Sequence, residues 1–249
     1  MDKLLDEIES YWSTRTEGYS EVNEKELKGM QKKAWLKTLE SGFLEKKLSD
    51  NDKEQLRILD IGTGPGFFPM ILAEAGYHVT AVDYTPGMLE KAAENAAKFI
   101  GEKSSNIEFK RMDAQALEFE DESFDVIISR NLTWNLPHPD QAYGEWLRVL
   151  KKGGKLLNFD ANYGATNFAE TSGLPENHAH NQLGNSLMQE CEDIKRQLPI
   201  SSYLRPAWDV EELGKVGMEQ ISIDLGVSRR MYKEKDAFYN PTPMFAIAA

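Results

Sequence analysis

A glycine-rich turn directly after an apolar strand constrains the fold of this chain more than any other feature of its sequence. Residues 57–61 read RILDI, a short run typical of a buried strand, and Gly62, Gly64 and Gly66 follow. Glycine adopts backbone conformations that other residues avoid, so this spacing predicts a sharp turn whose backbone can approach a ligand. Residues 67–75 read as a helix, whose N-terminus favours anionic groups. We therefore expect a strand–turn–helix unit that binds a ligand at its turn.

Short apolar runs and longer helical segments alternate from residue 56 onward. The predicted strands cover residues 57–61, 78–83, 106–111, 124–129, 155–160, 220–225 and 244–249. The predicted helices cover residues 67–75, 85–100, 139–150, 184–197 and 209–216, with a turn at residues 152–154. Such alternation is typical of a doubly wound sheet. We predict an α/β fold with a seven-stranded, mostly parallel sheet.

Two segments do not follow this alternation. Residues 1–55 are polar and helical, with an expected break at residues 15–20 around Gly18 and a turn or linker at residues 49–54. Residues 161–208 are rich in Asn, Gly, Pro and His and read as an insertion after the fifth strand. We predict an N-terminal helical cap over residues 1–55 and one domain over residues 56–249, in which the insertion covers the ligand site.

Composition excludes several classes of protein. The chain has 249 residues, with 29 Lys and Arg against 41 Asp and Glu, which gives a net charge of −12. This charge argues against general nucleic-acid binding, which needs a positive face. The single cysteine, Cys191, excludes an internal disulfide framework and a multi-thiolate metal site. No apolar run is long enough to span a membrane and the start is acidic, so we expect a cytoplasmic protein.

Two carboxylates narrow the kind of ligand. The turn is spaced G-x-G-x-G rather than G-x-G-x-x-G, which is the spacing typical of dinucleotide sites. Asp60 lies in the strand before the turn, where it suits a ligand with a positive amino group and disfavours a pyrophosphate. Asp83 ends the second strand, where it can accept hydrogen bonds from ribose hydroxyls.

Five motifs in order carry a family resemblance. They are LDIGTGPG at 59–66, VTAVDYTPGML at 79–89, RMDAQAL at 111–117, FDVIISRN at 124–131 and WLRVLKKGGKLL at 146–157. In this respect the chain resembles the class I S-adenosylmethionine-dependent methyltransferases, in the small-molecule branch similar to methyltransferase type 11. The resemblance implies methyl transfer from S-adenosylmethionine to a small molecule, by in-line displacement.

The resemblance also implies roles for individual residues. Asp60 and the turn Gly62, Thr63, Gly64 and Gly66 would hold the methionyl part, and Asp83 would bind the ribose. The residues expected around the adenine and on the floor of the site are Tyr84, Met88, Asp113, Ala114, Arg130 and Asn131. In similar enzymes an aromatic N-terminal segment shields the cofactor. Here Tyr11, Trp12 and Tyr19 would form that segment, with Tyr11 and Tyr19 as cofactor-binding residues and Arg15 as a partner of the cofactor carboxylate.

Catalytic residues are not fixed by these patterns. A base is needed only where the acceptor must lose a proton. The candidates facing the expected crevice are His138, Asp160, Tyr163, His178 and His180, and Trp134 is a candidate wall of the acceptor pocket. His178 and His180 could instead bind a metal ion, although we expect no metal site. Two alternative functions remain open: an NAD(P)-dependent oxidoreductase, and a non-catalytic cofactor-binding regulatory module.

Overall fold

In the computed structural model, which describes residues 3–44, 48–167, 184–232 and 241–249, seven strands form one sheet. The strands are β1 (Arg57–Ile61), β2 (His78–Asp83), β3 (Ile107–Arg111), β4 (Phe124–Arg130), β5 (Leu150–Ala161), β6 (Ser222–Asp224) and β7 (Met244–Ala248). Their order is β3-β2-β1-β4-β5-β7-β6. Strands β1 to β5 pair in parallel, and β7 runs antiparallel between β5 and β6. The predicted seven-stranded, mostly parallel sheet is confirmed.

Helices cover both faces of this sheet. They are α1 (Lys3–Lys28), α2 (Gln31–Phe43), α3 (Asp50–Gln55), α4 (Phe67–Glu74), α5 (Pro86–Ile100), α6 (Pro139–Val149), α7 (Asn185–Gln197), α8 (Ala207–Lys215) and α9 (Val227–Met231). Because successive side chains of a strand point to opposite faces, Ile58 joins the core under α2 and α4 while Leu59 joins the core under α6. A third, smaller cluster lies between α1, α7 and the end of β5.

The position of the ligand site follows from the strand order. Strand β1 lies between β2 and β4. From β1 the chain continues to β2 and β3 on one side of β1, and it then crosses to β4 and β5 on the other side. In open α/β sheets, ligands bind in the crevice that this reversal leaves at the carboxyl ends of the strands. The glycine turn after β1 lies at this point.

Helix α1 differs from the expected two-part segment. It runs without a break from Lys3 to Lys28, through Gly18. Glycine in a helix interior costs about 1 kcal/mol relative to alanine. Burial along one side of α1, which includes Leu5, Ile8 and Leu27, compensates for this weakness. The prediction of a break at residues 15–20 was therefore wrong.

Two local predictions were also wrong. The expected linker at residues 49–54 contains helix α3, which begins with a capping box between Ser49 and Asp52. The expected turn at residues 152–154 lies inside β5, whose pairing with β4 shifts register between Phe124 and Val126. Such an irregularity takes up extra residues within a continuous strand. Helix α9 was not predicted.

Candidate active site

The glycine turn after β1 is held tightly against β2. The backbone N–H groups of Gly62 and Thr63 both donate to the carbonyl oxygen of Val82, at 2.9 and 3.0 Å. Gly62, Gly64 and Gly66 have φ values of 70°, 53° and 90°, in the left-handed region that favours glycine. A Cβ added to Gly62 would lie 2.8 Å from the side chain of Leu132. The turn therefore requires glycine for its backbone conformation and for its close packing.

Asp60 lies below this turn, and only 2% of its surface is exposed. Its Oδ2 is buried without a hydrogen-bond partner among the described residues. Burial raises the pKa of Asp60 to about 7, against the opposing effects of the Thr63 hydroxyl and the positive charge of Arg130. An unsatisfied carboxylate oxygen at this depth is costly for the free protein, and a positively charged donor from a ligand would relieve that cost.

Asp83 at the end of β2 holds the backbone on both of its sides. Its Oδ2 accepts from the N–H of Gly64 at 2.8 Å, and its Oδ1 accepts from the N–H of Thr85 at 2.9 Å. Burial raises the pKa of Asp83, and these two hydrogen bonds oppose the increase. Each carboxylate oxygen accepts more than one hydrogen bond, so Asp83 retains capacity for donors from a ligand. The side chain thus links the glycine turn to the start of α5.

Asp113 follows β3 and is ordered by its own turn. Its Oδ1 accepts from the backbone N–H and the side-chain amide of Gln115, at 2.9 and 3.0 Å. The adjacent Ala114 is fixed through its carbonyl oxygen, which accepts from the indole N–H of Trp146 at 3.0 Å. Asp60, Asp83 and Asp113 therefore come from three neighbouring strand ends, and the sheet order brings them to one edge.

A cleft of about 750 Å³, partly open to solvent, lies over this edge. Ten of the predicted cofactor residues line it: Tyr19, Gly62, Gly64, Asp83, Tyr84, Met88, Asp113, Ala114, Arg130 and Asn131. Of the remaining predicted residues, Asp60, Thr63 and Gly66 belong to the turn and the strand end beneath the cleft.

Arg130 belongs to the cleft wall, but its charge is already paired. Its guanidinium donates to Glu26 at 3.1 Å and to Asn23 at 3.3 Å, both on α1. It also lies over the rings of Phe67 and Phe68, at 4.6 and 4.9 Å from their centroids. Glu26 in particular raises the pKa of Arg130, although burial opposes this increase. Arg130 thus joins α1 to the end of β4.

The three N-terminal residues predicted for the cofactor lie on two different sides of α1. Tyr19 faces the cleft, with its ring 3.5 Å from the position of a Cβ on Gly64. Tyr11 is buried in the cluster shared with α7, and its hydroxyl accepts from Arg15 at 2.6 Å. Tyr11 and Arg15 do not line the cleft. Because the continuous helix turns 100° per residue, positions that an open loop could bring together are separated.

Trp12, predicted as part of the aromatic segment but not as a cofactor-binding residue, does line the cleft, together with Leu5, Ile8 and Glu9. Its ring contacts Tyr19 edge-to-face at 5.5 Å and Trp134 at 6.5 Å between centroids. The spacing of Leu5, Ile8, Trp12 and Tyr19, at three, four and seven residues, is that of one helix face. An uninterrupted helical periodicity through Gly18 would have identified these residues.

The catalytic candidates occupy three different environments. His138 is exposed at the start of α6 and is not part of the cleft wall. Tyr163 is buried, and its hydroxyl donates to Oδ1 of Asn131 at 3.1 Å. Its ring contacts Trp134 at 5.1 Å between centroids, so both side chains lie beside the cleft at the ends of β4 and β5. His178 and His180 lie outside the described residues.

Asp160 belongs to a buried polar network rather than to the cleft. It accepts from the Thr133 hydroxyl at 2.6 Å, from the backbone N–H of Trp134 at 2.8 Å and from Arg205 at 2.9 Å. Burial raises the pKa of Asp160, and the charge of Arg205 opposes the increase. Arg205 also donates to Asp209 on α8. The network therefore fixes the loop after β4 against the segment that follows α7.

Within the described ranges, no group of three or more His, Cys, Asp and Glu side chains could hold a metal ion. No helix of the described chain combines the length and the apolar character needed to cross a membrane.

Comparison with known proteins shows that the central part of the chain is similar to methyltransferases. A family profile described as a methyltransferase domain matches residues 59–158. The chain is 38% identical over 101 residues to a demethylmenaquinone methyltransferase from Clavibacter sepedonicus, covering 41% of this chain and 39% of that protein. It is 37% identical over 106 residues to an arsenite methyltransferase from Halobacterium salinarum, covering 41% and 26%. The chain therefore spans less than half the length of these relatives.

A solved structure extends the likeness of the fold beyond that region. A protein from Methanococcus maripaludis, provisionally assigned as an S-adenosyl-L-methionine-dependent methyltransferase, superposes with a TM-score of 0.60. The superposition covers 95% of this chain and 91% of that protein, at 17% identity, which shows a shared fold. Residues 59–158 are thus similar to methyltransferase domains, and the chain as a whole shares the fold of that structure.

Proposed function

We propose that this chain is an enzyme that transfers a methyl group from S-adenosylmethionine to a small-molecule acceptor. The observation that carries the proposal is the cleft, where carboxylates from three neighbouring strand ends surround a glycine turn. The named relatives act on a quinone and on arsenite, and so support a small acceptor without selecting one.

The residues present fit this cofactor. The buried, unsatisfied Oδ2 of Asp60 suits a positively charged amino group. Asp83 suits two neighbouring hydroxyls, because it lines the cleft and each carboxylate oxygen can accept a hydrogen bond beyond the one from the backbone. The apolar side chains of Leu5, Met88 and Leu136 suit an aromatic base, with Asp113 beside them as an acceptor for its amino group. We therefore propose Asp60, Asp83 and Asp113 as the principal cofactor-binding side chains.

The protein has few chemical steps to perform. When bound, S-adenosylmethionine supplies an activated methyl group on a sulfonium. The chain's residues need to align the acceptor and exclude water. We propose that Trp12 and Tyr19 exclude water from the cleft, since both line it from α1. We further propose that the acceptor approaches beside Asn131, Trp134 and Tyr163, at the ends of β4 and β5.

The individual catalytic roles follow from exposure and hydrogen bonding. Tyr163 is the candidate for holding or moving an acceptor proton, because its hydroxyl is fixed on Asn131 at the cleft wall. We do not assign His138 to proton transfer, since it is exposed and away from the wall. Tyr11 and Arg15 remain predictions as cofactor partners.

The wider organisation is also proposed. We propose that residues 1–55 form a cap on a domain of residues 56–249, supported by the five α1 residues in the cleft wall. The unpaired, buried Cys191 fits a reducing compartment such as the cytoplasm. The G-x-G-x-G spacing supports methyl transfer over NAD(P)-dependent redox chemistry. The contacts that bring Tyr163 and Trp134 together beside Asn131 at the cleft wall support an enzyme over a regulatory module.

The proposal is tested by following a labelled methyl group. The protein is incubated with S-adenosylmethionine carrying a trideuterated methyl group and with panels of quinones, amines, thiols, phenols and arsenite. Mass spectrometry is expected to detect one product with the labelled methyl and an equal amount of S-adenosylhomocysteine. Asp83→Ala is the matched control. Equal label transfer by the wild type and the control, in every panel, contradicts the proposal.

A further inference from the structure

Two buried oxygen atoms at the glycine turn lack a hydrogen-bond partner among the described residues. They are Oδ2 of Asp60 and the hydroxyl oxygen of Thr63, and the two residues are only 2% and 8% exposed. Burial raises the pKa of Asp60, and the nearby Thr63 hydroxyl opposes the increase. Because buried polar atoms are almost always paired in folded proteins, two unpaired oxygens at one turn indicate a place built to receive a hydrogen-bond donor.

The charges around Asp60 do not favour its ionised form in the free protein. The positive charge of Arg130, at the end of β4, acts on Asp60, but the guanidinium is already paired with Glu26 of α1 at 3.1 Å. Asp83, at the end of β2, adds a like charge, and the ring of Tyr19 from α1 lies over the turn. The carboxylates of Asp60, Asp83 and Glu26 would together carry three negative charges against the one positive charge of Arg130. A carboxyl group buried among such neighbours holds its proton more firmly than one in water.

An ammonium group at this turn would reverse the balance. It carries three N–H donors and no acceptor, so it can satisfy both unpaired oxygens. The same group cannot accept a hydrogen bond from a protonated Asp60, and an opposite charge within about 4–6 Å favours the ionised carboxylate. The free protein and a complex with an ammonium-bearing ligand therefore favour different protonation states of the same side chain.

We infer that Asp60 holds a proton in the free protein at mildly acidic pH and releases it when an ammonium-bearing ligand occupies the cleft. The O–H bond of the carboxyl group breaks, its electron pair stays on the carboxylate, and the proton passes to the solvent. The ligand does not take this proton, because an α-amino group is already protonated below a pH of about 7.7. Binding is therefore expected to weaken as the pH falls. Only the identity of the ligand as S-adenosylmethionine or S-adenosylhomocysteine rests on the function proposed above.

Calorimetric titration with S-adenosylhomocysteine at pH 6, repeated in buffers of different ionisation enthalpy, counts the protons released per ligand bound. Because burial raises the pKa of Asp60 to about 7, about nine-tenths of the free protein is protonated at this pH, and about 0.9 proton is expected to leave. Between pH 5 and pH 6 the dissociation constant is expected to fall about ninefold. 5′-Methylthioadenosine, which has the same adenosine and thioether but no amino group, is the control ligand and is expected to release no proton.

Infrared difference spectroscopy observes the carboxyl group itself. At pH 6, binding of S-adenosylhomocysteine is expected to remove the C=O band of a protonated carboxyl group from the spectrum of the wild type. In the free protein the same band is expected to disappear with a midpoint at a pH of about 7 and to be missing from Asp60→Asn. Glu118→Gln, which replaces an exposed carboxyl group, is the control and is expected to behave as the wild type in both measurements.

The outcomes separate this inference from the proposed function. If neither adenosyl compound binds at any pH, the proposed function fails, and the pH titration of the free protein decides the protonation of Asp60. Binding without proton release at pH 6 overturns the inference. A carboxyl band that is the same in the free wild type and in Asp60→Asn at pH 6 assigns the proton to another side chain and also overturns it.

Discussion

Replacing Asp60 by asparagine is expected to stabilise the free protein and to weaken its binding of S-adenosylhomocysteine. Asp60 is almost fully buried, and its Oδ2 has no hydrogen-bond partner among the described residues. Burial raises its pKa to about 7 from an ordinary 3.8. Because the folded-state pKa is the higher one, the stability linked to this group is complete below pH 3.8 and is lost as the pH rises to 7.

The size of the effect follows from the two pKa values. They differ by about 3, and each pKa unit corresponds to about 1.4 kcal/mol, so the ionised side chain destabilises the free protein by up to about 4 kcal/mol above pH 7. Asparagine removes the charge at nearly the same volume. Between pH 5 and pH 8 the advantage of Asp60→Asn over the wild type is expected to grow by about 3 kcal/mol.

Urea unfolding of the ligand-free protein at several pH values measures this difference. Subtracting the wild-type values removes the contributions of other titrating groups. Glu118→Gln, which removes an exposed acidic side chain, is the control for the loss of one negative charge. A difference that stays constant from pH 5 to pH 8, or an Asp60→Asn variant less stable than the wild type at pH 8, would refute the reasoning.

Three further substitutions test other parts of the account. Asp83→Ala is expected to weaken S-adenosylhomocysteine binding by about 1.5–3 kcal/mol in calorimetry, because the hydrogen bonds from the ligand to the charged carboxylate are lost. Unchanged affinity would show that Asp83 does not bind the ligand. Glu26→Gln is expected to lower the free energy of unfolding by about 3 kcal/mol in urea titrations, because buried Arg130 loses its counter-charge. A change below 1 kcal/mol would show that this ion pair does not hold α1 to the end of β4. His138→Ala is expected to leave the kcat of methyl transfer within about twofold of the wild type, since an exposed side chain that does not line the cleft contributes little to catalysis. A hundredfold loss of kcat would make His138 a catalytic residue.

The sheet and the carboxylate end of the site were predictable because they depend on local signals. A strand followed by Gly62, Gly64 and Gly66 can form only a narrow set of turns, and Asp83 and Asp113 follow directly from the ends of their strands. Since parallel strands end at one edge, the order of the elements alone brings these residues together.

The contribution of α1 was less predictable because tertiary contacts override a weak local preference. Thr14, Thr16 and Gly18 favour a break, and yet burial of the flanking faces keeps the helix continuous. The resemblance placed Tyr11 and Arg15 beside the ligand, whereas the continuous helix brings Trp12 and Tyr19 to the cleft and Tyr11 to the cluster shared with α7.

The buried network of Asp160 and Arg205 could not be predicted either. The two residues are 45 positions apart, and their ion pair depends on how the segment after α7 returns to the end of β5. No local pattern distinguishes this aspartate from those at the other strand ends. In the structure, however, Asp160 accepts hydrogen bonds from Thr133 and Trp134 within the protein, so it is not available to a ligand.

Calorimetric titration measures directly whether the cleft over the glycine turn binds S-adenosylmethionine. Titration with S-adenosylmethionine and with S-adenosylhomocysteine is expected to show binding at one site with micromolar affinity, and titration with NAD⁺ or NADP⁺ is expected to show no heat of binding. Binding of a nicotinamide dinucleotide, with no response to either adenosyl compound, would contradict the account.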